Sequence, residues 1–340
     1  MGFLVMRHTI TPPIRSLVAH APRIAAAAAL ALCIVASAAA QGKTAGGSAV
    51  VSQTHLAWQI ALESVDFSPG LIDGRIGPKT RLATSEFQRV RGLSVTGDLD
   101  AATSRALGVD RLRAQAVRTY VLQEADMAAV GPLPVGWLER SRAKRLPYPS
   151  AKEMLAEKFH TSLSTLTALN PGADAPWNRP VLRAGDRVVV PNIVSGPAPS
   201  RARRIEIDLD QKVVRVIGPG DSLAALMHCS IAAKKEKRPS GQARVTVVSF
   251  NPTYVFNPAM WPEVKGVDRK LVLPPGPRNP VGLCWIGLSL PGYGLHGTPA
   301  PEMIGKTGSH GCFRLTNWDA CRLGAMVAPG TPVVFKGGGS

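Results

Sequence analysis

Hydrophobic positions along this chain recur with a helical period in the first half and with a period of two in the second. Leu56, Gln59, Ile60 and Glu63 fall at helical spacing with the apolar members on one face, which predicts a helix opening near His55. A second helix is predicted after Pro78, with Leu82, Ala83, Phe87 and Val90 on one side. Residues 151–169 read as two short helices. Met154, Leu155 and Phe159 face inward on the first, Leu163, Leu166 and Leu169 on the second, and Asn170-Pro171-Gly172 is the stop. Short β runs flank this pair, Thr119-Tyr120-Val121 before it and a turn and strand at 182–191 after it. Beyond a Ser/Pro/Gly linker at 194–202, residues 204–209 and 212–217 alternate as strands about a tight turn at Asp210-Gln211. Further β runs fall at 243–250, 282–289 and 331–336, with one helix at 318–327. The predicted fold class is multidomain: a small all-α module (52–108), a small α+β module (119–193) and a mainly-β domain (203–336).

The first module contains a repeat. Ile72-Asp73-Gly74-Arg75-Ile76-Gly77-Pro78-Lys79-Thr80 matches Val95-Thr96-Gly97-Asp98-Leu99-Asp100-Ala101-Ala102-Thr103 at an offset of 23 residues. Each copy supplies a glycine turn, then a residue suited to starting a helix, Pro78 or Asp100.

The first forty residues change the picture, because they read as a targeting segment and not as fold. Arg7, Arg15 and Arg23 precede the apolar run 24–37, and Ala38-Ala39-Ala40-Gln41 is a small-residue cleavage site. The run is short for a permanent span, so cleavage without stable membrane insertion is expected. Cys33 follows the large Leu32, which argues against lipidation. The whole chain carries a net charge of +17. Removal of three arginines and no acids leaves 37 basic against 23 acidic residues, or +14. An exported, strongly basic protein suits an anionic surface such as a wall polymer. Nucleic acid is excluded as a partner, since no basic patch is interleaved with aromatics.

Four cysteines remain after cleavage, Cys229, Cys284, Cys312 and Cys321. An oxidising compartment would allow a Cys229–Cys284 pair; separate buried thiols are the alternative. Cys312 is different in context. It sits in Ser309-His310-Gly311-Cys312-Phe313-Arg314-Leu315, sixteen residues after His296 in His296-Gly297-Thr298-Pro299. A thiol attacks as thiolate and so needs a basic partner in a polar, partly exposed setting. Gly311 allows a tight bend that brings backbone N–H groups near the sulfur, and Arg314 offers a fork for a carboxylate. A metal would need ligands beyond His296, His310, Cys312 and Cys321, and no CxxC or HxxxH spacing supplies them, so neither metal nor cofactor is expected. By residue type alone, His296 and His310 are rival bases.

His-Gly-Thr, a spacer, then Ser-His-Gly-Cys-Phe-Arg-Leu resembles the signature of the L,D-transpeptidase (YkuD-type) catalytic domain. Pro301-Glu302-Met303-Ile304-Gly305, Asn317-Trp318-Asp319-Ala320 and Gly330-Thr331-Pro332-Val333 agree, and the resemblance covers 203–336. It implies Cys312 as nucleophile and His296 as base, held by a backbone carbonyl. His310 is then a positioning residue, and the Gly311 and Cys312 N–H groups form an oxyanion hole. Arg314, Ser309, Gly297 and Tyr293 are expected around the substrate. That substrate would be a peptidoglycan stem peptide ending in a D-amino acid, with an amine of a second stem or of a wall protein as acceptor. Water in place of the amine would make a carboxypeptidase, and a decayed site a wall-binding scaffold. Two departures stand out: Arg238-Pro239-Ser240-Gly241 where many relatives carry T-P-x-G, and Arg314 where one branch carries Asn. Residues 52–108 resemble the peptidoglycan-binding domain 1 family through the repeated glycine turns, Phe87-Gln88 and Gly92-Leu93. Residues 119–193 resemble a LysM glycan-binding module, through helix, helix, Asn-Pro, then L-x-x-G-D-x-V-x-V-P. An insertion at 127–149 separates its opening strand from its first helix.

Overall fold

Ser52 opens α1 (Gln53–Glu63) by accepting from the His55 N–H at 3.3 Å. Pro78 occupies the first position of α2 (Pro78–Val90), and Asp100 caps α3 (Ala101–Leu107), which leads into α4 (Val109–Arg113). This computed structural model describes residues 51–338 apart from 261–263, 307 and 310, so the expected leader and His310 lie outside the described residues. The sequence repeat is a structural repeat with an unforeseen centre. Gln59 Oε1 accepts from the N–H groups of Asp73 (3.0 Å) and Gly74 (2.8 Å), while Nε2 donates to Thr80 Oγ1 (3.4 Å). In the second copy Gln88 accepts from Thr96 and Gly97 (2.9 Å each) and donates to Thr103 Oγ1 (2.9 Å). Both glutamines are buried, which such turns tolerate only because every polar atom is partnered.

The second module pairs β1 (Val117–Val121) antiparallel with β2 (Arg187–Pro191), Val117 opposite Pro191. Between them run α5 (Glu124–Ala128), α6 (Trp137–Arg142), α7 (Ala151–Lys158) and α8 (Leu163–Leu169). Ser150 and Ser162 cap the last two. Met154, Leu155, Phe159 and Leu166 pack on Val188 and Val190. Val90 and Leu163, expected inward, are instead exposed (43% and 44%). In α2 Ala83 and Phe87 are buried as expected, together with Thr80 and Gln88, whose hydrogen bonds build the turn clasps.

The third part centres on an eight-stranded sheet in the order β11-β10-β9-β6-β12-β3-β4-β5. Its strands are β3 (Arg204–Asp208), β4 (Val213–Ile217), β5 (Leu223–His228), β6 (Gln242–Phe250), β9 (Cys284–Leu288), β10 (Gly294–His296), β11 (Phe313–Arg314) and β12 (Pro332–Lys336). The pairs β12/β3 and β10/β11 are parallel and the others antiparallel. A separate hairpin joins β7 (Tyr254–Phe256) to β8 (Leu271–Leu273). Helix α9 (Asn317–Met326), capped by Thr316, lays Ala320, Leu323 and Met326 on the sheet core with Ile205, Ile207, Ile286 and Leu295.

Residues 66–68 run along the β5 edge. Ser68 N–H donates to the Leu226 carbonyl (2.8 Å) and Leu226 N–H to the Asp66 carbonyl (2.9 Å). Val213 and Leu226 of the sheet share one core with Leu56, Ile60 and Phe67 of the helical module. Arg322 on α9 grips Asp66 through two 2.7 Å bonds, and Ser68 donates to Asp319 (3.1 Å). The helical module is therefore fused to the sheet. No helix among the described residues is long and apolar enough to cross a membrane.

Candidate active site

In the β10 register His296 stands opposite Arg314 on one side and Trp285 on the other. Paired residues share a sheet face, and Cys312, two places before Arg314, falls on that face too. The intervening Leu295 and Phe313 point the other way and are buried in the core, as is Ile286. Alternation in three neighbouring strands thus brings Cys312, His296, Arg314 and Trp285 to the lining of one cavity of about 200 Å³. Larger cavities of about 470 and 540 Å³ lie where the modules meet, but neither contains the thiol.

His296 is buried, and its Nδ1 lies 2.6 Å from the Gly297 carbonyl. A carbonyl only accepts, so Nδ1 carries the proton and Nε2 is left as the basic nitrogen. Burial drives the imidazole pKa down to about 4, helped by Arg314 and opposed by the Gly297 bond. The ring is neutral at pH 7. The Trp285 indole stacks on it, ring centres 5.7 Å apart at 23°. Gly294 makes room for that indole, since a Cβ there would lie 2.6 Å from it.

Cys312 is partly exposed, with Sγ 3.5 Å from the Gly292 carbonyl. Burial raises its thiol above the ordinary value, while a backbone hydrogen bond and Arg314 pull it back. The resting pair is therefore neutral thiol and neutral imidazole. Arg314 also lines this cavity, and among the described residues no carboxylate pairs with it.

The other expected residues divide. Ser309 is buried, donates to the Cys312 carbonyl and accepts from Gly311 N–H (3.3 Å), so it shapes the loop. Tyr293 packs beside Gly311 and donates to the Lys237 carbonyl (2.9 Å). Gly297, expected at a substrate contact, is buried behind His296 with its N–H on the Cys284 carbonyl (3.1 Å). Asn317 fills the space where a Gly297 side chain would stand. Cys229, Cys284, Cys312 and Cys321 are all free, so the conceivable Cys229–Cys284 bridge is absent. Burial pushes Cys229 and Cys284 up to about 12 and Cys321 to about 11, leaving them poor nucleophiles. No cluster of metal-ligating side chains occurs among the described residues.

Sequence reasoning missed Trp285 and the β7–β8 hairpin, whose Tyr254 and Val255 wall the cavity. The insertion at 127–149 backs this hairpin. Trp137 stacks on Phe256 (4.2 Å), and Leu146 joins Phe256, Leu271 and Leu273 in a small core. Leu146 N–H also bonds the Pro275 carbonyl at 2.9 Å. Apolar residues at 133, 137, 138 and 146 were the available signal.

Residues 202–335 match the family described as L,D-transpeptidase catalytic domain, and residues 56–107 match the "Putative peptidoglycan binding domain". The "Putative L,D-transpeptidase YkuD" of Bacillus licheniformis is 28% identical over 181 residues, 53% of this chain and 90% of that protein. The "Putative L,D-transpeptidase YqjB" of Bacillus subtilis is 30% identical over 158 residues, 44% of this chain and 72% of that protein. The "Probable L,D-transpeptidase YbiS" of Escherichia coli is 31% identical over 194 residues, and the chain spans 59% of its length. The chain belongs to the L,D-transpeptidase family of enzymes, and a peptidoglycan-binding region precedes its catalytic domain.

Proposed function

We propose that this chain is an exported L,D-transpeptidase that remodels peptidoglycan through a cysteine thioester. The observation that carries the reading is Cys312, a carbonyl-anchored His296 and Arg314 on one sheet face over one cavity. Cys312 Sγ attacks the carbonyl joining an L-centre to the terminal D-residue, and His296 Nε2 takes the thiol proton as the S–C bond forms. The neutral resting pair suits this, because charge appears only as the reaction proceeds. The Gly297 carbonyl then stabilises the imidazolium. Backbone N–H groups of Gly311 and Cys312 receive the oxyanion, Gly311 after leaving Ser309 Oγ; one such donor is worth about 10²–10³ in rate. His296 passes its proton to the departing amine as the C–N bond breaks. An acceptor amine, from a second stem or a wall protein, reverses the sequence and frees the thiol. Arg314 holds a substrate carboxylate, and His310 positions the loop.

Export rests on the leader at 1–40, and wall retention on the two N-terminal modules, 52–108 and 119–193. The antiparallel β1/β2 pair enclosing α7 and α8 supports the LysM-like reading of the second. The test is mass spectrometry of tetrapeptide muropeptides incubated with the mature protein and with Cys312→Ala. Crosslinked dimers or exchanged terminal residues made only by the wild type are expected. Tripeptide alone would mean a carboxypeptidase, and no product with retained wall binding a scaffold.

A further inference from the structure

We infer that Glu157, on α7 of the second N-terminal module, is a positioning residue for His296 and acts through Asn317. The inference rests on the assignment of His296 as the base.

Asn317 is buried at the start of α9, in a slot between Gly282 and Gly297. A Cβ on either glycine would collide with Asn317 Oδ1. That oxygen accepts from the Leu283 N–H at 3.0 Å. The side chain thus wedges together the two backbone segments behind the histidine. One of them, Gly297, supplies the carbonyl that fixes the His296 proton on Nδ1. The wedge works in one orientation only. Turned over, the amide would set Nδ2 against the Leu283 N–H, donor facing donor.

Glu157 selects that orientation. Its Oε1 accepts from Asn317 Nδ2 at 2.9 Å and from Tyr148 Oη at 2.7 Å. Burial raises the carboxyl pKa, while the bonds from Tyr148 and Asn317 oppose that rise. Oε1 accepts in either protonation state, so the contact does not depend on its charge. Three hydrogen-bonded or wedged steps therefore link a helix outside the catalytic domain to the tautomer of its base, running from Glu157 to Asn317, Gly297 and His296. At this contact the N-terminal region reaches the backbone behind His296. The catalytic domain does not complete its own support.

The test is the pH-dependent rate of iodoacetamide labelling at Cys312 in the full chain, read by peptide mass spectrometry. Labelling reports how readily His296 takes the thiol proton and requires no substrate. Glu157→Leu removes the acceptor and Glu157→Asp withdraws it. Each is expected to slow Cys312 labelling about tenfold at neutral pH, the scale of a misplaced catalytic group, and to move its pH profile toward that of His296→Ala. Glu157→Gln keeps an oxygen acceptor and is expected to match the wild type. Tyr148→Phe removes the other bond to the same oxygen, and it too should leave labelling unchanged. Lower thermal midpoints for Glu157→Leu and Glu157→Asp with wild-type labelling profiles would overturn the inference and leave Glu157 a strut. Should Glu157→Leu not fold, the contrast of Glu157→Asp with Glu157→Gln decides. If His296→Ala itself labels like the wild type, the base assignment fails, a result distinct from the failure of Glu157 alone.

Discussion

The two edges of the catalytic sheet are put to different uses. At β5, six residues long, residues 66–68 cover the edge, Leu226 and Val213 enter the helical core, and Asp66 and Ser68 are held by α9. At the other end β10 has three residues and β11 two, flanked by glycines, with the thiol beside a cavity. An uncovered edge invites pairing with other chains, and short strands or a covering segment are the usual remedies. Here the long edge is covered by a distant segment and contributes stability; the short edge, closed at Arg314 by the antiparallel Ser230 pairing (2.8 and 3.0 Å), carries the chemistry. One helix serves both, since Asn317 at its start supports His296 and Asp319 and Arg322 further on hold the covered edge.

The contrast predicts that damage at the β10–β11 edge removes activity and damage at the β5 edge removes stability. Cys312→Ala should lower muropeptide turnover by ~10³-fold or more with an unchanged thermal midpoint. A lowered midpoint would make the thiol structural. Leu226→Ala empties part of the shared core and should cost about 3 kcal/mol in urea unfolding. Surviving molecules should keep the wild-type Cys312 labelling rate; loss of labelling would mean that the edges are not separable. Gly294→Ala drives a methyl into Trp285 and should cost about tenfold in turnover with a smaller change in stability.

The smallest effect is a pH dependence. Burial, reinforced by Glu63, raises the Asp319 carboxyl to about 7, while the nearby His160 opposes that rise. The folded state then holds a proton that the unfolded chain releases near pH ~4. Stability from this group is present below that pH and lost as pH rises through about 7. Asp319→Asn should therefore gain on the wild type in unfolding free energy between pH 5 and pH 8. A constant difference would show that the carboxyl is ionised throughout.

Much of the fold was legible where one face of an element meets the core. Strands at 204–208, 213–217, 242–250 and 332–336 lie within a residue or two of their predicted places. β5 was not legible, because Leu-Ala-Ala-Leu-Met-His is apolar on both faces and has no period of two; both faces are covered. The exposed Val90 was misread because polar Thr80 and Gln88 share the buried face with Ala83 and Phe87, which only the turns they clasp explain. At the site, Cys312 and His296 were expected together from one motif, sixteen residues apart, and both line one cavity. Trp285 and Glu157 were not, since nothing local marks a tryptophan as the floor of a cavity or a glutamate as the partner of an asparagine 160 residues away.

Local periods, helix starts near His55 and at Pro78 and Asp100, the glycine-turn repeat and a motif holding one thiol and two histidines were all legible along the chain. These depend on bonds and spacings within a few residues or within one motif. Tertiary structure alone decided which proton His296 keeps, how far its basicity falls and which faces of the modules fuse with the sheet. Those outcomes depend on burial and on hydrogen-bond partners from distant segments, and desolvation acts only once the chain has closed around the group.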